Sequence, residues 1–189
     1  MDNKIENIKN MSNEERLLKV FANVNDWLKF AEAKNAMIIA LNAASIYGIA
    51  KAMNLKIIED SEFLSWYLFI VIIQLVFSTV CALISFAPRV KIIKGGLFAP
   101  GSISNVLFFE YLKTKSADEI IREVNSIDKS DTAFKPTSFE TDVAVQIQQN
   151  SIIASRKYSY FTIAVWLTIS AYITLPLALI FCLYTYLSK

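Results

Sequence analysis

The chain has 189 residues, of which 54% are hydrophobic and 19% are charged, and its formal net charge is +2. A typical soluble domain is about 45–50% apolar and about 25% charged, so this composition indicates a membrane protein. The absence of histidine removes the commonest general base and the commonest metal ligand. The two cysteines lie within apolar runs and are interpreted as packing residues. We therefore expect no catalytic activity, no metal site and no bound cofactor.

The N-terminal part of the sequence predicts a water-exposed amphipathic helix. Residues 1–11 are polar and are expected to be a flexible N-terminus that is kept in the mature protein. Ser12 and Glu15 have the spacing of a capping box, which opens a helix. Apolar side chains then recur with helical spacing and predict a cytoplasmic amphipathic helix over residues 12–35; they are Leu17, Phe21, Val24, Leu28 and Ala31. No proline precedes Met53, so the helix is expected to continue into the membrane.

The first predicted transmembrane helix covers residues 36–58. Its uncharged part runs only from Ala36 to Ala50, which is shorter than the ~20 residues usually needed to span a bilayer. Small residues recur in it at every fourth position, namely Ala36, Ala40, Ala44 and Gly48. Such a small-residue ridge lets another helix backbone approach closely in lipid, and we interpret it as a helix-packing surface. The alternative is that alanine is simply common in helices.

Two further transmembrane helices are predicted from long charge-free runs over residues 63–87 and 158–187. A basic cluster at residues 89–94 follows the first of these runs, and Arg156-Lys157 precede the other. Lysine and arginine accumulate on the cytoplasmic side of membranes. Residues 88–157 are therefore expected in the cytoplasm, with the N-terminus inside and the C-terminus outside.

The cytoplasmic insert, residues 88–157, is expected to be helical. Residues 103–111 are apolar-rich and fit either a strand or a helical turn. Ser116 and Glu119 form a second capping box, and from Ser138 a helical pattern runs without a break into the last span. The predicted fold is an all-α membrane protein with three transmembrane helices, the first and last of which extend into a cytoplasmic helical domain.

Polar residues near the membrane boundary give candidate ligand contacts. Glu32, Lys34 and Asn35 fit interfacial anchoring, or a pocket just outside the bilayer. A pair between Lys29 and Glu32 on the same helix is a further alternative for Glu32. Arg156 and Lys157 fit positive-inside anchors, or a cationic ring with Lys34 that would bind an anionic ligand.

In the insert, Asn105 could supply an amide to a nucleotide base, and Phe108 and Phe109 could stack on it. The alternative for the two rings is docking of the insert on the long helices. These residues offer a binding site and no catalytic constellation.

Three ordered stretches resemble a known family. They are WLKFAEAKN at residues 27–35, NVLFF at residues 105–109 and QIQQNSIIASRKY at residues 146–158. Their order and spacing resemble the transmembrane effectors of Pycsar, a bacterial anti-phage system that signals with cyclic pyrimidine mononucleotides. The resemblance covers about residues 14 to 187. Glu110 departs from the glycine expected after the paired aromatics.

The resemblance implies a sensor in the bacterial inner membrane. A partner cyclase would make cyclic CMP or cyclic UMP, and the ligand would bind the cytoplasmic part of the effector. The effector would then assemble as a homo-oligomer in the lipid bilayer and disrupt it, which would cause abortive infection. No nucleic-acid polymer is expected as a partner. The matching positions for ligand binding are Glu32, Lys34, Asn35, Asn105, Phe108, Phe109, Asn150, Arg156 and Lys157.

Other classes of protein remain compatible with the sequence. A ligand-independent membrane scaffold fits everything inferred from the residues alone. A small channel would normally show more polar residues in its spans than Asn42, Gln74 and scattered Ser and Thr. An effector gated by a different nucleotide is the nearest alternative.

Overall fold

The computed structural model describes residues 11–59, 61–87, 105–127 and 133–187, and every regular element among them is a helix. The all-α prediction is therefore confirmed for this part of the chain. The basic cluster at residues 89–94 and almost all of the expected flexible N-terminus lie outside it. In chain order the helices are α1 (Asn13–Ala52), α2 (Lys56–Glu59), α3 (Glu62–Ile84), α4 (Phe109–Leu112), α5 (Ala117–Val124) and α6 (Ser138–Leu187).

The chain divides into two compact units. The first unit comprises Met1–Ala31 and Gly95–Arg156, and the second comprises Glu32–Lys94 and Lys157–Lys189. The long helices α1 and α6 each contribute residues to both units.

Helix α1 begins at the capping box that the sequence predicts. The backbone N–H of Glu15 donates to Ser12 Oγ at 3.2 Å, and the Ser12 N–H donates to Glu15 Oε2 at 3.1 Å. These bonds satisfy two of the backbone donors that a helix start leaves unpaired. The helix continues for 40 residues and ends at Ala52. The apolar segment predicted as the first span, residues 36–58, is thus divided by a turn between α1 and α2.

The first unit is held by an apolar core. Its fully buried side chains come from all four helices that enter the unit: Leu17, Val20 and Val24 of α1, Leu112 of α4, Ile120 and Ile121 of α5, and Ala144 and Ile147 of α6. Helix α5 starts at the predicted capping box, with Ser116 and Glu119 each accepting the other's backbone N–H. Removing these apolar faces from water is the main force that holds the short helices on the long ones.

Two helices are long and apolar enough to cross a membrane among the described residues. The most apolar 18-residue stretch has a mean hydropathy of 2.5 in α3 and of 2.0 in the part of α6 up to Phe181. Only 28% and 22% of these stretches are buried, so large apolar side chains such as Phe77 and Trp166 remain exposed. Water disfavours such extensive apolar surface, whereas lipid accepts it. The second half of α1 does not meet the same criterion.

The second unit joins α1, α3 and α6 through polar as well as apolar contacts. Leu64, Leu68 and Ile58 form one buried cluster, and Val71, Leu75 and Ala171 form another. Asn42 of α1, Ser78 of α3 and Thr168 of α6 are buried and hydrogen-bonded to one another. Gln74, expected to face another helix, donates to the carbonyl oxygen of Leu167 at 3.0 Å.

The small-residue ridge of α1 takes no part in these buried clusters and hydrogen bonds. Ala36, Ala40, Ala44 and Gly48 are all exposed, whereas Asn35 and Asn42 are buried on the same helix. Within the described residues, the packing of this helix therefore depends on its polar and branched residues. A role of the ridge in contacts with another copy of the chain stays a prediction.

Candidate ligand-binding site

An aromatic cluster lies in the first unit. The Trp27 ring of α1 meets Phe108 edge-on, with centroids 6.3 Å apart, and lies 5.6 Å from Phe109. Phe109 is buried, with 4% of its surface exposed, while Phe108 is half-buried. Phe109 thus acts in docking the insert on α1, which is one of the two roles considered for the pair. Phe108 retains an accessible ring face that could stack on a planar ligand.

Side-chain amides fix the segment that carries Phe108. Asn105 Oδ1 accepts the backbone N–H of Leu107 at 2.9 Å, and Asn23 Nδ2 donates to the Leu107 carbonyl oxygen at 2.6 Å. The segment is a turn followed by α4, which resolves the strand-or-turn alternative in favour of a turn over residues 105–111. Asn105 is exposed, so its side chain is accessible to a ligand.

Asn150 connects the two long helices inside the first unit. Its Nδ2 donates to Asn25 Oδ1 of α1 at 2.7 Å, across 125 residues of sequence. Both side chains are half-buried. Asn150 thus has a structural hydrogen bond, and a ligand that used this amide would add to the bond or replace it.

Two lysines of the first unit are paired with carboxylates. Lys113 forms an ion pair with Glu110, and its Nζ also donates to Ser155 Oγ at 2.9 Å. Glu110, where the family resemblance predicts glycine, occupies the first turn of α4. The helical start accommodates this side chain and gives it a cationic partner.

A second neutralised lysine joins α4 and α5. Lys115 Nζ lies 2.8 Å from Glu123 Oε1, and Tyr111 donates its hydroxyl to Glu123 Oε2 at 2.6 Å. The hydrogen bond to Glu123 raises the pKa of Lys115 above its usual range. Lys115 therefore stays charged and paired, which suits a structural role.

Arg156 differs from these lysines. Its side chain is half-buried, and its guanidinium has neither a hydrogen bond nor an ion pair with any residue that the structure describes. A guanidinium presents its N–H groups in a planar fork that matches two phosphate oxygens. Arg156 is therefore better suited to bind an anionic group than the paired Lys113 and Lys115.

The other predicted site residues lie in the second unit. Lys157 Nζ lies 3.1 Å from Glu32 Oε1 and 5.1 Å from the centre of the Phe86 ring. Asn35 Nδ2 donates to the Lys157 carbonyl oxygen at 3.4 Å. Lys34 Nζ lies 5.4 Å from the centre of the Tyr158 ring and 5.5 Å from that of Phe161. Here the cations have aromatic and carboxylate partners.

The nine predicted site residues therefore fall into two groups, one in each unit. The structure brings Phe108 and Phe109 together, and likewise Glu32, Asn35 and Lys157. The predicted ring of Arg156, Lys157 and Lys34 combines residues of both units and stays a prediction. Sequence reasoning missed the partners that position these residues, namely Asn23 for the segment that carries Phe108 and Asn25 for Asn150. A polar residue on an amphipathic helix gives too little signal to identify its partner on a distant helix.

Comparison with known proteins identifies the family. The model of the Pycsar effector protein domain, PycTM, matches residues 16–184. No curated protein and no solved structure matches the chain significantly. The family match and the two apolar helices together indicate a membrane protein. Because the match runs from the first turn of α1 to the last turns of α6 and includes both units, the chain belongs to the Pycsar effector family and is a bacterial anti-phage defence effector.

Proposed function

We propose that this effector binds cyclic CMP or cyclic UMP in its first unit and then disrupts the bacterial inner membrane through its second unit, without catalysing a reaction. Family membership implies a cyclic-nucleotide signalling system with a partner cyclase. The nucleotide made by that cyclase would be the signal, and loss of membrane integrity would cause abortive infection.

The observation that carries the proposal is the half-buried guanidinium of Arg156. The neighbouring cations Lys113 and Lys115 already have carboxylate partners, so the phosphate of a ligand would have to compete for them. Arg156 has no carboxylate partner among the described residues, so a phosphate would displace no ion pair there. Charge-assisted hydrogen bonds to a phosphate are about twice as strong as neutral ones. The cyclic phosphate carries one negative charge, which a single guanidinium balances.

A base-binding role for Phe108 and Asn105 completes the proposed site. The half-buried Phe108 ring is in contact with the Trp27 and Phe109 rings. Stacking of a base on such a ring is worth about 1–3 kcal/mol. The exposed Asn105 amide could then donate to the carbonyl oxygen that both cytosine and uracil carry. The pyrimidine selectivity itself rests on the family resemblance.

The membrane step is assigned to α1, α3 and α6. We propose that residues 36–58 cross the bilayer as a third span beside α3 and α6, with the N-terminus in the cytoplasm. The support for this is that the buried Asn42 bonds to both of those helices. The exposed ridge from Ala36 to Gly48 would then face lipid in the resting protein and serve as the contact between copies in the oligomer.

Calorimetry on the full-length protein in lipid nanodiscs tests the binding step. Cyclic CMP and cyclic UMP are titrated, with linear CMP and cyclic AMP as specificity controls. Arg156→Gln is expected to weaken binding by about tenfold or more, since hydrogen bonds to charged groups are worth roughly 1.5–3 kcal/mol. Arg122→Gln is the matched control, because Arg122 is paired with Asp118 at 2.9 Å in the same unit. Folded protein that binds neither cyclic pyrimidine nucleotide would refute the sensing role.

Membrane potential in cells tests the effector step. Potential is expected to collapse when the protein is expressed with its cyclase and to remain normal without it. A potential that is unchanged in both cases would favour the ligand-independent scaffold. A potential that is lost equally in both cases would favour a constitutive channel.

A further inference from the structure

A closed ring of hydrogen bonds joins the three helices of the second unit. Asn42 Nδ2 of α1 donates to Ser78 Oγ of α3 at 2.9 Å, and Thr168 Oγ1 of α6 donates to Asn42 Oδ1 at 3.0 Å. Ser78 Oγ lies 2.9 Å from Thr168 Oγ1 and 2.8 Å from the carbonyl oxygen of Ala164. Each of the three helices is thereby bound to both of the others.

Each member of the ring can both donate and accept. Asn42 gives one amide N–H to Ser78, Ser78 can give its hydroxyl to Thr168, and Thr168 can give its hydroxyl to Asn42. Asn42 and Ser78 are fully buried, and Thr168 is 3% exposed. In apolar surroundings an unpaired polar group is costly. Breaking one bond therefore leaves its partners unpaired in apolar surroundings, so the bonds of the ring depend on one another.

The packing beside the ring is less complete. A partly open apolar pocket of about 200 Å³ lies where the same three helices meet, and its lining includes Gly48 of α1, Leu75 of α3 and Tyr172 of α6. A Cβ atom added to Gly48 would meet nothing within 4 Å. Apolar packing therefore contributes less to helix association at this level than in a filled interface. Hydrogen bonds therefore contribute a larger share of the free energy of helix association at this level.

We propose that the Asn42–Ser78–Thr168 ring is a lock that holds the three helices in the resting arrangement, and that its opening is the membrane step of the response. Separated helices would present an amide and two hydroxyls to the bilayer interior, where these groups need water or new partners. An opened ring thus draws water into the bilayer, which is a physical route to leakage. This inference rests on the proposed function, because it identifies the element whose equilibrium the nucleotide would shift.

Dye release from liposomes that contain the full-length protein, without any nucleotide, tests the lock. Thr168→Val removes the hydroxyl at nearly constant shape, and Asn42→Leu removes the amide. Each is expected to raise the leak rate about tenfold or more, since one interhelical hydrogen bond in a membrane is worth roughly 0.6–2 kcal/mol and these variants break several. Thr168→Ser retains the hydroxyl and is expected to leak like the wild type.

Thr79→Val is the matched control. The Thr79 hydroxyl donates to the Leu75 carbonyl oxygen of its own helix at 2.9 Å, so its loss breaks no hydrogen bond between helices among the described residues. Gel filtration and melting temperature show that each variant is folded. If Thr168→Val and Asn42→Leu lower the melting temperature without any leak, the ring is only structural and the proposal is wrong.

The wild-type protein with added cyclic CMP or cyclic UMP separates the two hypotheses. If nucleotide makes the wild type leak, and the ring variants leak as much as the wild type both with and without nucleotide, the lock is refuted. The proposed function then remains intact. Leaky ring variants beside a wild type that ignores both nucleotides support the lock and refute the proposed ligands.

Discussion

The carboxylate of Glu32 lies 3.1 Å from the ammonium group of Lys157 and so joins α1 to α6 in the second unit. Both residues are predicted ligand contacts. The Lys157 side chain is only 11% exposed, whereas that of Glu32 is 45% exposed. The lysine charge is therefore held away from water beside a carboxylate. A nucleotide phosphate could reach Lys157 only at the expense of this pair, which makes Lys157 better suited to joining helices than to sensing.

We expect Glu32→Gln to lower the thermal stability of the protein, because it leaves the buried Lys157 ammonium without its partner. The loss should be about 1–3 kcal/mol, between the values for exposed and buried pairs, since Glu32 is partly solvated. Lys157→Gln with Glu32→Gln should cost less than the sum of the two single changes. The control is Lys29→Gln, which removes an exposed pair with Asp26 and should have no measurable effect. Additive single changes would show that the pair is not coupled.

Phe108 and Phe109 are expected to differ sharply when each is replaced by alanine. Phe109→Ala should destabilise the first unit by about 3–5 kcal/mol, because the ring is buried against Trp27 and its loss leaves a cavity. Phe108→Ala should cost less stability but should weaken binding of cyclic CMP or cyclic UMP by about tenfold or more, through lost stacking. Chemical unfolding followed by Trp27 fluorescence gives the stabilities, and calorimetry gives the affinities. Equal affinity of Phe108→Ala and wild type would remove Phe108 from the site.

Helix α6 begins at a capping box formed by Thr137 and Glu140. The backbone N–H of Glu140 donates to Thr137 Oγ1 at 3.1 Å, and the Thr137 N–H donates to Glu140 Oε2 at 2.8 Å. Thr137→Ala should therefore destabilise the first unit by about 1 kcal/mol. Thr141→Ala is the control, because the Thr141 hydroxyl donates to the Thr137 carbonyl oxygen one turn earlier and caps no backbone N–H among the described residues. Urea unfolding of both variants measures the difference, and equal effects would rule out the cap as the cause.

Features that depend on neighbouring residues were predictable from the sequence. The capping boxes at Ser12 and Ser116 form as expected, because both partners lie within one helical turn. The box at Thr137 and Glu140 has the same spacing and was overlooked, although the pattern Thr-Ser-Phe-Glu contains the signal. The apolar run that starts at Phe63 predicted α3 to within a few residues, because a charge-free run of this length can cross a bilayer as one helix.

Features that depend on contacts between distant helices were not predictable. Glu32 was considered as a partner of Lys29 on the same helix, whereas Lys29 pairs with Asp26 and Glu32 pairs with Lys157. The rotation of α1 about its axis decides these pairings, and it follows from the packing of the whole unit. For the same reason the sequence did not reveal that Asn42 is buried in the helix contact while the alanines beside it are exposed.

The exposed ridge of α1 leads to a prediction at Gly48. A Cβ atom at this position would meet no atom within 4 Å, and glycine inside a helix is about 0.5–1 kcal/mol less favourable than alanine. Gly48→Ala should therefore raise the melting temperature of the protein in detergent. A lower melting temperature would mean that the bare backbone at Gly48 is needed in the folded chain.

Gly48→Leu distinguishes folding from assembly. Small residues at a four-residue spacing allow two helices to approach closely in lipid, and a leucine on such a ridge holds the backbones apart. We expect Gly48→Leu to fold but to lose the homo-oligomer, as measured by chemical cross-linking in membranes. Ala43→Leu is the control, because Ala43 is an exposed small residue of the same helix that lies off the ridge. If both variants assemble like the wild type, the ridge is not the contact between copies, and another face of the membrane unit must provide it.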